Sequence, residues 1–122
     1  MQAVSIHAVD VANGVVAVGM RVDIVRQHST QASAPWTTVV SGKVGRNGVV
    51  DGIEGQERLF DAGVYELRLY VGDYYRARGM ALPEPVFQDV QVFRFGIADP
   101  SQHYHLPIKF TPWGLSCFRG AA

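Results

Sequence analysis

The sequence predicts an all-β protein, an antiparallel β-sandwich of seven or eight strands with one short helix. Three observations lead there. Apolar residues recur at period two along most of the 122 residues, so alternate side chains share a face. Turn-forming pairs, Asn13-Gly14, Asn47-Gly48 and Asp99-Pro100 among them, punctuate these runs at the spacing of a sandwich. Only one stretch, from Asp73 to Gly79, combines a capping residue and a stop in the manner of a helix.

Ala3 to Asp10 places Val4, Ile6 and Ala8 on one face and Ser5, His7 and Val9 on the other, the pattern of a half-buried strand. Past Asn13-Gly14, the alternation of Met20, Val22 and Ile24 marks a second strand ending near His28. His28 to Pro35 is small and polar, as an exposed loop requires. Trp36 to Val40 is rich in β-branched residues and reads as a third strand. Asn47-Gly48, between Arg46 and Val49, has the chemistry of a two-residue hairpin turn. Gly52 to Ala62 is charged and irregular, and Val64 to Val71 resumes a strand. Asp73 then caps a helix over Tyr74 to Arg78, which Gly79 ends and which Pro83 and Pro85 prevent from resuming. Tyr74 and Tyr75 cover the sandwich edge in this reading. Val86 to Phe95 alternates again, Asp99-Pro100 leads into the strand through His103 and His105, and Pro112 separates that from a last strand, Trp113 to Phe118.

Length and charge restrict the function. A chain of this size forms one domain, residues 1–122, with a core large enough to need no disulfide staples. Lys plus Arg equal Asp plus Glu at 11 each, so no overall field draws the protein to nucleic acid or an anionic membrane. No apolar run approaches the roughly 18 residues of a membrane span. The expected partners are a small molecule and other copies of the chain. The single cysteine, Cys117, allows no internal disulfide, and the opening residues lack a basic-then-apolar leader, so a cytoplasmic location is expected.

The chemistry concentrates in histidine. In His103-Tyr104-His105-Leu106-Pro107, the two imidazoles share one face while Tyr104, Leu106, Ile108 and Phe110 share the other. An unperturbed imidazole titrates near about 6.5, so this face suits proton transfer or metal binding. Taken alone, a histidine in a strand is more often a satisfied structural group, and His103 is read that way, as a partner. With His7 the pair could also supply a three-nitrogen zinc site with an open water position, although no ligand spacing beyond His103 and His105 supports one. Cys117 has no base beside it in the sequence, which argues against a nucleophile.

The opening Ser5-Ile6-His7-Ala8-Val9-Asp10 with Asn13-Gly14, and the closing His-Tyr-His-Leu-Pro and Phe-Arg-Gly, resemble the transthyretin-like family, and more narrowly its enzymatic branch, the 5-hydroxyisourate hydrolases. The resemblance runs nearly end to end. Transthyretin shares the fold of this branch but lacks both histidines at the places of His7 and His105. What the resemblance implies is a transthyretin-like sandwich assembled as a homotetramer, with active sites in a channel between dimers, that hydrolyses the ring of a urate oxidation product. It further implies that His7 and His105 are catalytic, completed by an arginine after a turn and a C-terminal Tyr-Arg-Gly-Ser.

This chain departs from both of those last features. Phe118-Arg119-Gly120-Ala121 lacks the phenol and the terminal hydroxyl. Arg46 matches the family arginine by its Gly45-Arg46 dipeptide, whereas Val49 matches it by position after the Asn47-Gly48 turn, and the turn chemistry favours Val49. Without a guanidinium fork, a polar or anionic substrate loses its clamp. The expected substrate-side residues are therefore Val49, Arg46, Phe118 and Arg119, with Arg119 as well placed to hold the terminal segment as to touch substrate. The expected function is hydrolysis of a cyclic amide in urate or methylurate breakdown by histidine-assisted water attack, with a substrate less anionic than hydroxyisourate and no metal or organic cofactor called for. The alternative is a non-catalytic small-molecule-binding tetramer.

Overall fold

A computed structural model describes residues 4–29, 31, 33–53 and 60–120. Eight strands and one helix follow in the order β1 (Val4–Asp10), β2 (Val15–Val16), β3 (Arg21–Gln27), β4 (Trp36–Lys43), β5 (Gly63–Leu69), α1 (Val71–Ala77), β6 (Gln91–Ile97), β7 (Tyr104–Thr111) and β8 (Gly114–Cys117). They form two four-stranded sheets, ordered β2-β1-β7-β8 and β4-β3-β5-β6. The expected all-β sandwich is borne out. Among the described residues all strand pairings are antiparallel except one: β1 lies parallel to β7, with Val4 opposite Tyr104 and Asp10 opposite Phe110. A parallel pair needs a long crossover, and here the whole of the second sheet supplies it. Residues near the two ends of the sequence thereby become neighbours.

The period-two pattern determines what is buried. Val4, Ile6 and Ala8 of β1 and Tyr104, Leu106, Ile108 and Phe110 of β7 face the core, packed against Val22, Ile24, Tyr65, Leu67 and Leu69 of the second sheet. Ser5, His7, His103 and His105 are left on the outer face of the first sheet, half-buried.

Several boundaries moved. The helix begins at Val71, not Tyr74, and no side chain caps it; Asp73 instead sits in the first turn and accepts a hydrogen bond from Arg76 at 2.7 Å. The anchors that set its start are the buried Val71, Tyr74 and Tyr75. Gly79, at φ +81°, ends it as expected. Val86 to Val90 is not strand: Gly72 N–H bonds the Asp89 carbonyl at 2.9 Å and Arg76 bonds the Asp89 carboxylate at 2.9 Å, which folds this segment over α1 and delays β6 to Gln91. The short β2 carries too few residues to show a period. Ala3 and most of the expected irregular stretch, 54–59, lie outside the described residues. No helix among the described residues is long and apolar enough to cross a membrane.

Candidate active site

The parallel pairing of β1 with β7 assembles the imidazoles. Ser5 lies opposite His105 and His7 opposite Pro107, all with side chains on the outer face. His7 and His105 are thus diagonal neighbours, with Cα atoms roughly 8 Å apart given ordinary strand spacing and rise. Residues nearly a hundred positions apart share one surface. Between the rings of the closing motif sits Ser5, its Oγ 2.7 Å from His105 Nδ1 and 2.9 Å from His103 Nε2. Those two rings lie nearly parallel, 11° apart, with centroids separated by 6.4 Å.

The turn at Asn47-Gly48 reaches the same face. It differs from the expected two-residue hairpin: Gly48 N–H bonds the Gly45 carbonyl at 2.9 Å and Gly45 N–H bonds the Val49 carbonyl at 2.8 Å. Arg46, Asn47 and Gly48 therefore form a three-residue loop whose last residue takes a positive φ, +83°, a geometry natural to glycine. The loop then docks on the edge of β1, with Ala8 N–H bonding the Gly48 carbonyl at 3.0 Å and an antiparallel bridge pairing His7 with Val49. Directly opposed residues point to the same side. Val49 is thereby set beside His7, and Gly48 presses on the ring itself: a Cβ there would lie 2.5 Å from His7 Nε2. Arg46 is exposed at the loop tip.

The C-terminal segment closes the other side. Gly120 N–H bonds the His105 carbonyl at 2.6 Å, and a Cβ on Gly120 would sit 3.0 Å from His105 Cδ2. Arg119 donates to the carbonyl of His103 at 3.1 Å and to Gln102 Oε1 at 3.2 Å, and its guanidinium lies 4.0 Å from the Tyr104 ring centroid. Holding the terminal segment is what its contacts do. Phe118 is 56% exposed and bounds, with His7, Pro107, Lys109 and Ser116, a pocket of about 140 Å³ on this face. The cation at that pocket is Lys109, an exposed and strongly hydrated ammonium rather than a guanidinium fork. A larger cleft of about 380 Å³, bounded by Arg21, Lys43, Tyr74 and Arg78, contains no histidine.

Beneath the site, Asp10 fixes the end of β1. Its buried carboxylate accepts from Tyr75 Oη at 2.6 Å, Tyr74 Oη at 2.9 Å and Asn13 Nδ2 at 2.7 Å. Burial by itself would raise its pKa, but the hydrogen bonds from Tyr75, Asn13 and Tyr74 outweigh it and hold the group below the usual aspartate value. Burial and the Asp10 carboxylate push the Tyr74 phenol up to about 12. Burial likewise raises the Cys117 thiol to about 12, far from an activated nucleophile. Among the described residues no three His, Cys, Asp or Glu side chains converge as metal ligands.

Sequence reasoning found His7, His105, Val49 and Phe118, which this face brings together, and Arg46 and Arg119, which stand at its margins. It missed Ser5, Gly48, Lys109 and Gly120. Ser5 shares the alternate face of His7 and could have been found by strand period; the other three depend on pairings that no local signal announces.

A β-sandwich carrying paired imidazoles on its outer sheet face fits one family closely. The model of the HIUase/transthyretin family matches residues 4–120, and the chain belongs to that family. It is 39% identical to the 5-hydroxyisourate hydrolase of Pseudomonas aeruginosa over 94% of this chain and 88% of that one. It is equally 39% identical to 5-hydroxyisourate hydrolase 2 of Rhizobium meliloti, over 94% of this chain and 92% of the relative. Among solved structures, a crystal structure of (S)-allantoin synthase superposes with a TM-score of 0.80 at 26% identity. That superposition covers 97% of this chain and 43% of that longer one.

Proposed function

We propose that this protein is a hydrolase of the 5-hydroxyisourate hydrolase type, opening a cyclic amide in purine breakdown, with His7 and His105 as its catalytic pair. One imidazole accepts a proton from water as the water oxygen bonds to a ring carbonyl carbon; the other stabilises the oxyanion or gives a proton to the nitrogen as the carbon–nitrogen bond breaks. This chemistry asks for no metal and no organic cofactor. The observation that carries the reading is the common outer face of His7 and His105, with a pocket of about 140 Å³ beside His7. Relatives named as hydrolases at 39% identity support catalysis over a binding-only tetramer.

The substrate proposed is less anionic and more apolar than hydroxyisourate, such as a methylated analogue. Val49 beside His7 and Phe118 at the pocket support it. A substrate oxygen left unpaired against valine loses about 1–3 kcal/mol, or roughly 5- to 150-fold in rate at 1.4 kcal/mol per factor of ten. The same proposal includes one domain over residues 1–122, a homotetramer in which the exposed Trp113 is covered by other copies, and a cytoplasmic location in keeping with a single free cysteine.

Turnover of freshly generated 5-hydroxyisourate and of an N-methylated analogue tests the reading. The methylated ring should be preferred, Val49→Arg should move the preference back, and His7→Asn or His105→Asn should abolish both activities. Hydrolysis of the unmethylated substrate at an ordinary enzymatic rate would refute the altered specificity; full activity in either histidine variant would refute the catalytic pair.

A further inference from the structure

Ser5 has one hydroxyl proton and two imidazole partners. Its Oγ is within hydrogen-bond distance of His105 Nδ1, 2.7 Å, and of His103 Nε2, 2.9 Å. A hydroxyl donates once and accepts from the rest. With both rings neutral and the Ser5 proton kept between them, Ser5 donates to one and accepts from the other, and the two imidazoles hold complementary tautomers. When Ser5 donates to His103 Nε2, it accepts from a protonated His105 Nδ1, and His105 Nε2 is left with a free lone pair. When the hydroxyl turns round, His105 Nε2 carries the proton instead. Since Nδ1 is engaged with Ser5, Nε2 is the nitrogen available to a substrate.

We infer that Ser5, backed by His103, is a positioning residue that sets the tautomer of His105 and relays its proton; the inference rests on the hydrolase reading above. His105 Nε2 takes a proton from the attacking water. The proton on His105 Nδ1 passes to Ser5 Oγ, and the original Ser5 hydroxyl proton passes to His103 Nε2. His105 ends neutral with Nε2 protonated, ready to donate to the leaving nitrogen, and His103 holds the positive charge. Donation from Nε2 runs the same transfers backwards and restores the starting state. One imidazole can then serve as base and as acid in successive steps, with His7 left to stabilise the oxyanion.

The geometry that permits this is built by β-sheet register. Ser5 is directly opposite His105 in the parallel β1–β7 pair, so the ladder keeps the two side chains adjacent on one face. Gly120 packs against the other side of His105, which limits how far the ring can turn. His103 shares the face two residues earlier and reaches the same oxygen.

Imidazole 15N NMR of the full-length protein, free of substrate, reads the tautomers directly. In the native chain His105 should be protonated on Nδ1 at neutral pH. Ser5→Ala should shift His105 toward the Nε2-protonated form, Ser5→Thr should restore the native signal, and His103→Ala should mimic Ser5→Ala, because the hydroxyl then donates to His105. On whichever cyclic amide the native protein turns over, Ser5→Ala should lower kcat by about 10- to 100-fold with KM little changed, the loss expected when a catalytic group is held but misoriented. An unchanged His105 signal in folded Ser5→Ala overturns the inference, whatever the activity. A shifted signal with native kcat overturns the relay. If the native protein hydrolyses no cyclic amide while the tautomer responds to Ser5, the relay falls together with the hydrolase reading and only the tautomer control stands.

Discussion

Gly48→Ala should disable the site while leaving the protein folded. Gly48 has φ +83°, so an alanine there pays a left-handed backbone penalty of about 1–2 kcal/mol. Its Cβ would also lie 2.5 Å from His7 Nε2, 2.8 Å from Cδ2 and 3.1 Å from Cε1. Ordinary carbon contacts begin near about 3.5 Å, so the imidazole must retreat by about 1 Å. A displacement of that size at a reacting group lowers turnover on the order of 100-fold. Gly79→Ala separates the two effects, because Gly79 has nearly the same φ, +81°, with nothing within 4 Å of an added Cβ. For a chain of this length, thermal unfolding should shift by about 4 °C per kcal/mol. Gly79→Ala should therefore melt roughly 4–8 °C lower, Gly48→Ala at least as much lower because of the added clash, and only Gly48→Ala should lose activity. Circular dichroism melts and steady-state kinetics on the same preparations decide it. A folded Gly48→Ala protein with native turnover would show that His7 is not held for catalysis by this loop, and equal activity losses in both variants would reduce the effect to general destabilisation.

Asp10 makes stability depend on acid. Its folded pKa lies below the ordinary value, so its contribution is fully present above the unfolded pKa of about 3.9 and is lost as pH falls through the lower folded value. Urea unfolding from pH 7 downward should show that loss in the native chain and a shallower acid slope in Asp10→Asn; identical slopes would remove Asp10 from the account. Tyr75→Phe takes away the 2.6 Å hydrogen bond to Asp10 and should destabilise by about 1–3 kcal/mol, read from the urea midpoint. Cys117, with its thiol raised to about 12 by burial, should resist iodoacetamide at pH 8 in the folded protein and react readily once unfolded; rapid alkylation of the native form would contradict the burial.

The strand count, the core face of β1 and the core face of β7 were legible in the residues, because a strand's period of two displays its buried side whatever the partner. Val4, Ile6 and Ala8, and Tyr104, Leu106, Ile108 and Phe110, are buried as their alternation required. Local chemistry also showed that Gly79 would end a helix and that a turn would fall at Asn47-Gly48. Boundaries set by contacts at a distance were not legible: the helix starts at Val71 because Tyr74 and Tyr75 reach Asp10, and β6 starts late because Asp89 bonds Gly72 and Arg76.

Two histidines on solvent-facing strand positions are written in the sequence, since period alone places each side chain on a face. Which strand lies beside which is not, because pairing is decided by the packing of whole sheets, and a shift of one residue would have turned every side chain over. The parallel register of β1 with β7 put Ser5 against His105, and the docking of the 45–50 turn on β1 put Val49 rather than Arg46 beside His7. The site's ingredients are local, and its geometry is a property of the assembled sheets.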